Sequence, residues 1–303
     1  MFLADIFVRV ILPVFIVVGL GYAYARVTSV DAKPFSRLAW NVTGPCLGFA
    51  SLATTTLPDD DFARIFIFIV VLTVALWPLA IGAAKWLRLD RQTSSSFQLS
   101  IMFGNCVNYG FPVLLFAFGQ AAVDRGVVIM AGNQILLSTL AVFIAARGRL
   151  NWRQSLAQMT KVPLLWGSIA GFVVNRTGIV IPHPIFDPIQ LVGQANLMLM
   201  LLILGMQLAQ VKLSGERAAL TVAVGMRLVV SVGLGAVLAL IMGMQGLTMQ
   251  ASIIEAGVPT AVYAAIIAAE YDVAPGFAAA SILVSTLVSM GTLTIILALL
   301  GVR

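Results

Sequence analysis

Long apolar segments separated by short polar turns make up almost the whole chain. Ten such segments can be drawn, each close to the roughly 20 residues that an α-helix needs to cross a bilayer. Their approximate bounds are 5–25, 35–54, 62–86, 95–119, 124–146, 161–180, 188–209, 218–243, 249–271 and 276–301. They are apolar on all sides, which excludes a barrel of alternating strands. The pattern predicts an all-α polytopic membrane protein with ten transmembrane helices in a single membrane domain, residues 1–303.

Spans four and nine are interrupted near their middle by residues that disfavour a helix. Span four contains Gly104-Asn-Cys-Val-Asn-Tyr-Gly-Phe-Pro112, and span nine contains Glu255-Ala-Gly-Val-Pro-Thr260. Glycine weakens a helix and proline removes a backbone donor, which frees polar groups that hydrocarbon cannot satisfy. Broken helices at equivalent places in two halves of a membrane chain indicate a transporter's substrate site. The predicted helix-breaking positions are Gly104, Gly110, Pro112 and Gly257.

The distribution of Lys and Arg predicts how the chain sits in the membrane. The mean hydropathy is +1.03, only 10% of the residues are charged, and the formal net charge is +6. Of the 18 basic residues, 12 fall on one side of the predicted spans and 5 on the other, while Arg227 lies inside span eight. Because basic loops stay in the cytoplasm, both termini are predicted to lie outside. The basic excess thus reflects orientation and does not call for a nucleic-acid partner.

The number of spans predicts an inverted internal repeat. Five spans in each half, with both termini on one side, require the second half to enter the membrane upside down. Repeat one covers about 1–150 and repeat two about 155–303. Gly110-Phe-Pro112 and Gly257-Val-Pro259 share a Gly-x-Pro pattern and give one internal match.

Two ionisable residues lie inside predicted spans, where charge is expensive and usually serves a function. Glu255 lies one turn before Pro259 in span nine, and Arg227 lies within span eight. One interpretation gives them a role in ion or proton coupling beside the substrate. The other pairs Glu255 with Arg227, or with another donor, as a structural bridge between neighbouring helices. The sequence leaves both open.

Amide and hydroxyl side chains near the breaks are the candidates for substrate binding. Asn105 and Asn108 can donate hydrogen bonds to a carboxylate, and the N-termini of the half-helices add positive dipole ends. The alternative is that they cap freed backbone groups or bond between helices. The full set of substrate-binding candidates is Asn105, Asn108, Pro259, Thr260, Tyr263, Pro45 and Asn41.

Catalytic chemistry finds little support in the sequence. Cys46 and Cys106 lie in apolar segments and suggest neither a disulfide framework nor a metal spacing. His183, the single histidine, lies between two prolines in a predicted loop. Without a nucleophile–base pair or a His/Cys cluster, the sequence predicts no enzyme activity, no metal site and no cofactor beyond a coupling Na⁺ or H⁺.

Both breaks resemble segments of the auxin efflux carrier family, which includes plant PIN-FORMED carriers and bacterial permeases. Residues 104–115 are similar to the family's Asn-x-x-x-x-Gly-Ile-Pro-Leu-Leu segment. Val258-Pro-Thr260 and Ala269-Glu-Tyr-Asp-Val-Ala-Pro275 are similar to its Leu-Pro-x and Glu-Tyr-x-Val-x-Pro stretches. The resemblance covers essentially the whole chain. It departs at Gly104, where plant carriers have proline, and at Thr260, where an amide is often found.

The resemblance implies two inverted five-helix repeats, as in bile-acid–sodium symporter-like carriers, with spans four and nine crossing at their breaks. Spans one, two, six and seven would form a scaffold, and spans three to five and eight to ten a transport domain that slides as an elevator. The family register pairs Gly104 with Pro259 and Asn105 with Thr260, in place of the Gly-x-Pro match. A homodimer formed through the scaffold is implied as well. Because the long central loop of the plant carriers is absent, we expect a multi-pass protein of a prokaryotic plasma (inner) membrane.

We therefore expect a secondary active or facilitative carrier of small organic anions, such as malate, malonate or auxin-like acids. Asn105 and Thr260 would bind the carboxylate at the crossing, and Glu255 would couple transport to an ion, if it is coupled. One alternative is a sodium- or proton-coupled carrier of another substrate, bile-acid-like or inorganic. Another is a membrane sensor that binds its ligand without moving it.

Overall fold

The computed structural model describes residues 2–146, 162–211 and 216–302, and these residues are helical almost throughout. In chain order the helices are α1 Leu3–Thr28, α2 33–53, α3 Asp59–Trp86, α4 Arg91–Met102, α5 Cys106–Phe118, α6 Gln120–Ala145, α7 Pro163–Thr177, α8 His183–Leu208, α9 Arg217–Ile241, α10 Gly246–Ala256, α11 Val262–Glu270 and α12 Pro275–Leu299. Within these ranges the only extended pairing is one isolated bridge between Gly104 and Thr260.

Six of these helices, α1, α3, α6, α8, α9 and α12, are long and apolar enough to cross a membrane. They have 25 to 28 residues each, which corresponds to roughly 37–42 Å at a rise of about 1.5 Å per residue. The prediction of a polytopic helical membrane protein is confirmed at this level. Of the remaining helices, α7 is short, with 15 residues.

The predicted boundaries differ most at the start of α8. We expected a turn over 182–188 with His183 in a loop, and this expectation was wrong. Pro182 precedes the helix in an extended conformation, and His183 is the first helical residue. Prolines are tolerated in the first turn because the amide groups there have no partner within the helix. The exposed His183 Nδ1 lies 3.4 Å from Asp187 Oδ1, one turn further along α8.

Five helices contain a five-residue π-helical turn. These turns are Phe7–Ile11, Ala39–Thr43, Cys106–Gly110, Leu137–Ala141 and Met226–Val230. Turns of this kind often occur at functional sites because they rotate the side chains that follow. Three of them hold Asn41, Asn108 and Arg227, which are candidate functional residues from the sequence.

Glycine residues bring α1, α2, α7 and α8 into close contact. A Cβ added at Gly205 of α8 would overlap Val18 O of α1 and would lie 2.7 Å from Tyr22 N. At Gly167 of α7 it would lie 2.8 Å from the Cα of Pro45 in α2. Small residues that allow main chains to approach in this way are typical of helix packing in membranes.

The other helices pack around the interrupted pairs α4–α5 and α10–α11. α3 packs against α4, α6 and α9, α10 against α6 and α9, and α12 against α4 and α11. The α1–α2–α7–α8 group contacts these helices as well. Its helix α8 contacts the start of α5, and Ser51 Oγ of α2 donates a hydrogen bond to Asp124 Oδ1 of α6.

Candidate functional site

The two interrupted helix pairs cross at their breaks. α4 ends at Met102 and α5 begins at Cys106, while α10 ends at Ala256 and α11 begins at Val262. The intervening chains run antiparallel and share two main-chain hydrogen bonds. The N–H of Asn105 donates to Pro259 O at 2.8 Å, and the N–H of Ala261 donates to Phe103 O at 2.9 Å. Two helix ends and two helix starts therefore meet at one buried point.

Local sequence explains where the helices stop. Pro259 disfavours a helical conformation of the residue before it, and Gly257 ends α10 with its N–H donating to Ile253 O and Ile254 O. At the other break, a Cβ on Gly104 would lie 2.6 Å from Arg227 Nη2 and 2.7 Å from Val258 Cγ2. Only glycine leaves room for this approach.

Gly110 and Pro112, which were among the predicted helix-breaking positions, lie within helical residues. Gly110 is the last residue of the π turn in α5, and Pro112 is the second residue of the α-helical stretch that follows. The change of hydrogen-bond register at the end of the π turn accommodates the missing N–H of the proline. Gly110 serves packing, because an added Cβ would lie 2.6 Å from Glu255 Cδ.

Among the described residues, the Arg227 guanidinium donates only to main-chain carbonyls at the crossing. Nε lies 2.8 Å from Val258 O, Nη1 3.2 Å from Ile101 O, and Nη2 2.9 Å and 3.3 Å from the carbonyl oxygens of Ala256 and Glu255. The side chain is 3% exposed. Its positive charge thus lies at the C-terminal ends of α4 and α10, where helix dipoles favour a cation.

Hydroxyl groups add further hydrogen bonds at the same helix ends. Thr260 Oγ1 donates to Ser100 O at 2.9 Å, and Ser231 Oγ donates to Ala256 O at 2.9 Å. Ser285 Oγ of α12 accepts the N–H of Thr260 at 3.0 Å. Since unpaired backbone groups are costly inside a membrane, these contacts stabilise the broken conformation.

Glu255 is buried without a hydrogen-bond partner for its carboxylate. Its side chain is 1% exposed, and neither Oε1 nor Oε2 has a partner among the described residues. The weak thiol donor of Cys106 and the charge of the Arg227 guanidinium are the influences that favour its charged form. The arginine donates to the carbonyl oxygen of Glu255 and not to its carboxylate. A buried carboxylate left this way requires a proton or a cation.

The amides at the crossing are only partly satisfied. Asn105 is 5% exposed, and its Nδ2 has no partner within the described ranges. Asn133 of α6 directs Nδ2 toward Gly104 O at 3.5 Å and Cys106 Sγ at 3.4 Å, while its Oδ1 is unpartnered there. Asn108 is buried in the π turn of α5, 6% exposed. Asn105 thus carries an unused donor beside the N-terminus of α5.

Tyr263 and Trp40 connect the crossing to α2. The Tyr263 ring, in the first turn of α11, meets the Trp40 ring edge to face at 6.0 Å between centroids. Pro45 lies one turn further along α2, and its main chain packs against Gly167 of α7. Asn41 is exposed, and its Nδ2 donates to Arg37 O at 2.8 Å within the same helix. The structure brings Tyr263 to the crossing and leaves Asn41 outside it.

Comparison with known proteins identifies the class to which this chain belongs. A family model described as membrane transport protein matches residues 6–155 and 149–297. The chain belongs to this family, the auxin efflux carriers. It is also similar to an uncharacterized transporter of Methanothermobacter thermautotrophicus, with 25% identity over 289 residues that cover 93% of this chain and 95% of that protein. The resemblance noted from the two breaks is confirmed, and the protein is a membrane transport protein.

Several residues of the transporter's crossing were not among the candidates from sequence. Ser231, Ser285, Trp40 and Asn133 contact it. One signal was available for Ser231, which lies one helical turn after Arg227 and therefore on the same face. Ser285 and Trp40 lie on other helices, and their spacing along the chain gives no such signal.

Proposed function

We propose that this membrane transport protein is a secondary active or facilitative carrier of small organic anions, such as malate, malonate or auxin-like acids. The observation that carries the proposal is the buried crossing, where Asn105 immediately precedes α5 and its N–H donates to Pro259 O, three residues before α11 begins. The Nδ2 of Asn105 has no partner among the described residues. Helix N-termini and amide donors favour a carboxylate. The positive charge of Arg227 adds attraction from the side.

Asn105 provides the first contact to the carboxylate in this proposal. Thr260 would contribute less than expected from sequence, because its hydroxyl already donates to Ser100 O. Asn108, Tyr263, Pro259 and Pro45 would shape the pocket around the rest of the anion.

We further propose ten membrane crossings arranged as two inverted repeats. Residues 91 and 120, at which α4 and α6 begin, lie 155 residues before residues 246 and 275, at which α10 and α12 begin. The same separation relates Gly104 to Pro259, as in the family register. The two main-chain hydrogen bonds at the crossing are also related by a shift of 156 residues. Exchanging 105 with 261 and 103 with 259 turns each bond into the other. These relations support a pseudo-twofold axis through the crossing.

An elevator motion would divide the chain into a scaffold of α1, α2, α7 and α8 and a transport domain of α3–α6 and α9–α12. The glycine-mediated contacts hold the first group together and support this division. Contacts such as Ser51 with Asp124 and Trp40 with Tyr263 would then break and re-form as the domain moves. A homodimer through the scaffold, in a prokaryotic plasma (inner) membrane with both termini outside, completes the proposal.

Glu255 supports coupling to an ion. Its unpartnered carboxylate could take up a proton or help to bind Na⁺ as the anion enters. This observation also favours the second candidate function, a sodium- or proton-coupled carrier of another substrate, bile-acid-like or inorganic. Flux in proteoliposomes with and without a Na⁺ or pH gradient separates coupled transport from uniport. Ligand binding with no flux under any gradient would indicate a sensor.

The test of the substrate class begins with a thermal-shift screen of purified protein against mono- and dicarboxylates, including malate, malonate and indole-3-acetate. The acid with the largest shift is then followed as uptake into proteoliposomes. Asn105→Ala should lose uptake, because the unused donor is removed. Gln92→Ala, which removes an exposed amide in the first turn of α4, is the matched control and should retain it. Equal uptake by the two variants would contradict the site assignment.

A further inference from the structure

We infer that Arg227 is a positioning residue of the crossing, whose guanidinium clamps the ends of α4 and α10 together and so fixes the main chain that carries Asn105. The link to anion binding rests on the proposed function. The clamp itself can be tested without any substrate.

The geometry of the clamp joins parts of the chain that are far apart in sequence. Arg227 lies in the π turn of α9 and contacts Ile101 O near the end of α4. It also contacts Glu255 O and Ala256 O at the end of α10, and Val258 O in the extended chain beyond. One side chain thus connects three segments: the two helices that stop at the crossing and α9.

The chemistry of the contact suits arginine. The last carbonyls of a helix have no partner within it, and two helix C-termini side by side accumulate partial negative charge. A guanidinium offers five N–H donors in a rigid plane. The four contacts to carbonyls use up to four of these N–H groups, so most of the donors of Arg227 serve the protein.

Gly104 makes room for the clamp and places it next to Asn105. The Cβ position of Gly104 is 2.6 Å from Nη2 and 3.0 Å from Cζ of Arg227. The guanidinium therefore passes directly beside the main chain that precedes Asn105. A displacement of Arg227 would move the Asn105 donor relative to the N-termini of α5 and α11, and displacements of about 1 Å can cost ~100-fold in function.

Hydrogen exchange of the intact protein measures the clamp directly. Peptides that cover the amides of Asn105 and Ala261 report the two main-chain bonds of the crossing. In Arg227→Gln we expect exchange there to accelerate about tenfold or more, because at least one charged hydrogen bond is lost. Arg227→Lys should show nearly the same effect, since a point charge cannot reach both helix ends. Thr221→Ala is the control: it removes an exposed hydroxyl of α9 that donates to Arg217 O, away from the crossing, and should leave the crossing protected.

Unchanged protection in folded Arg227→Gln would overturn the inference, and so would full rescue by Arg227→Lys, which would indicate that charge alone matters. If neither variant folds, Gly104→Ala keeps the arginine but places a methyl group where its guanidinium lies. The same acceleration of exchange is expected, and normal protection in Gly104→Ala would also count against the clamp.

Malate affinity from thermal shift gives a second readout. A purely structural role would leave the Kd of folded variants unchanged, whereas positioning raises it about 100-fold. If the wild-type protein binds no carboxylate, the proposed function fails while the exchange result still decides the clamp.

Discussion

Replacing Asn105 with leucine should make the empty protein more stable while abolishing its response to substrate. The Asn105 side chain is 5% exposed, its Nδ2 has no partner among the described residues, and it provides no side-chain cap to α5. An unsatisfied buried donor costs about 1–3 kcal/mol. Asn105→Leu keeps the branching and the number of heavy atoms of the side chain and removes the donor, so the free energy of unfolding should rise by up to that amount. For a chain of this size the rise corresponds to roughly 2–6 °C in Tm.

The assay is thermal unfolding of the detergent-solubilised protein, with and without malate or the best carboxylate of the screen. A ligand at about 100 times its Kd stabilises the wild-type protein by about 2.7 kcal/mol, and Asn105→Leu should show no such shift. Asn196→Leu is the control, since Asn196 is also buried and its Nδ2 likewise has no partner among the described residues, but its Oδ1 accepts a hydrogen bond from Thr43 at 2.6 Å. That variant should gain about 1 kcal/mol less and keep the ligand shift. A lower Tm for Asn105→Leu together with an intact ligand shift would refute the reasoning.

Three further predictions concern packing, pH and orientation. Gly205→Ala should destabilise the protein by about 1–3 kcal/mol because the methyl group overlaps the main chain of α1, whereas Gly233→Ala, which meets nothing within 4 Å, should be neutral or stabilising by up to about 1 kcal/mol; Tm measures both, and equal values would contradict the packing. Asp90 caps α4, and its hydrogen bonds with Thr93 lower the pKa of its carboxyl, so Asp90→Ala should cost about 1 kcal/mol at neutral pH. Because this pKa is lower in the folded state, the cost is complete above the unfolded pKa of about 3.9 and disappears as pH falls through the folded pKa, which Tm against pH checks. Finally, Asp60→Cys should react with an impermeant maleimide on intact cells, and Arg91→Cys should not; the reverse would invert the proposed orientation.

The sequence predicted the helices well because the signal is local. Each span needs only enough apolar residues and a turn at each end, and the structure follows the predicted bounds within a few residues, apart from the start of α8. There the Pro182–Pro188 cluster was interpreted as a turn, although Pro184 suits a first helical turn and Pro188 lies inside α8. The break in α4–α5 was predicted over nine residues, and the structure narrows it to 103–105.

The contacts within the site could not be predicted in the same way. Spacing along the chain shows that Arg227 and Glu255 both lie in spans, but not that the guanidinium faces carbonyl oxygens while the carboxylate stays unpartnered. That outcome depends on where two helix ends meet, which is a property of tertiary packing. The same holds for Trp40 opposite Tyr263, since neither residue carries a local signal of its partner.

The shortness of α7 has a consequence for the surrounding lipid. Its 15 residues give a helix of roughly 22 Å, against a hydrocarbon thickness of about 30 Å. As one of the ten proposed crossings, a helix this short would thin the bilayer locally, at a cost that grows with acyl-chain length. The protein should therefore favour thin membranes. A change in bilayer thickness should shift α7 and, through the contact of Gly167 with Pro45, also α2 beside the crossing.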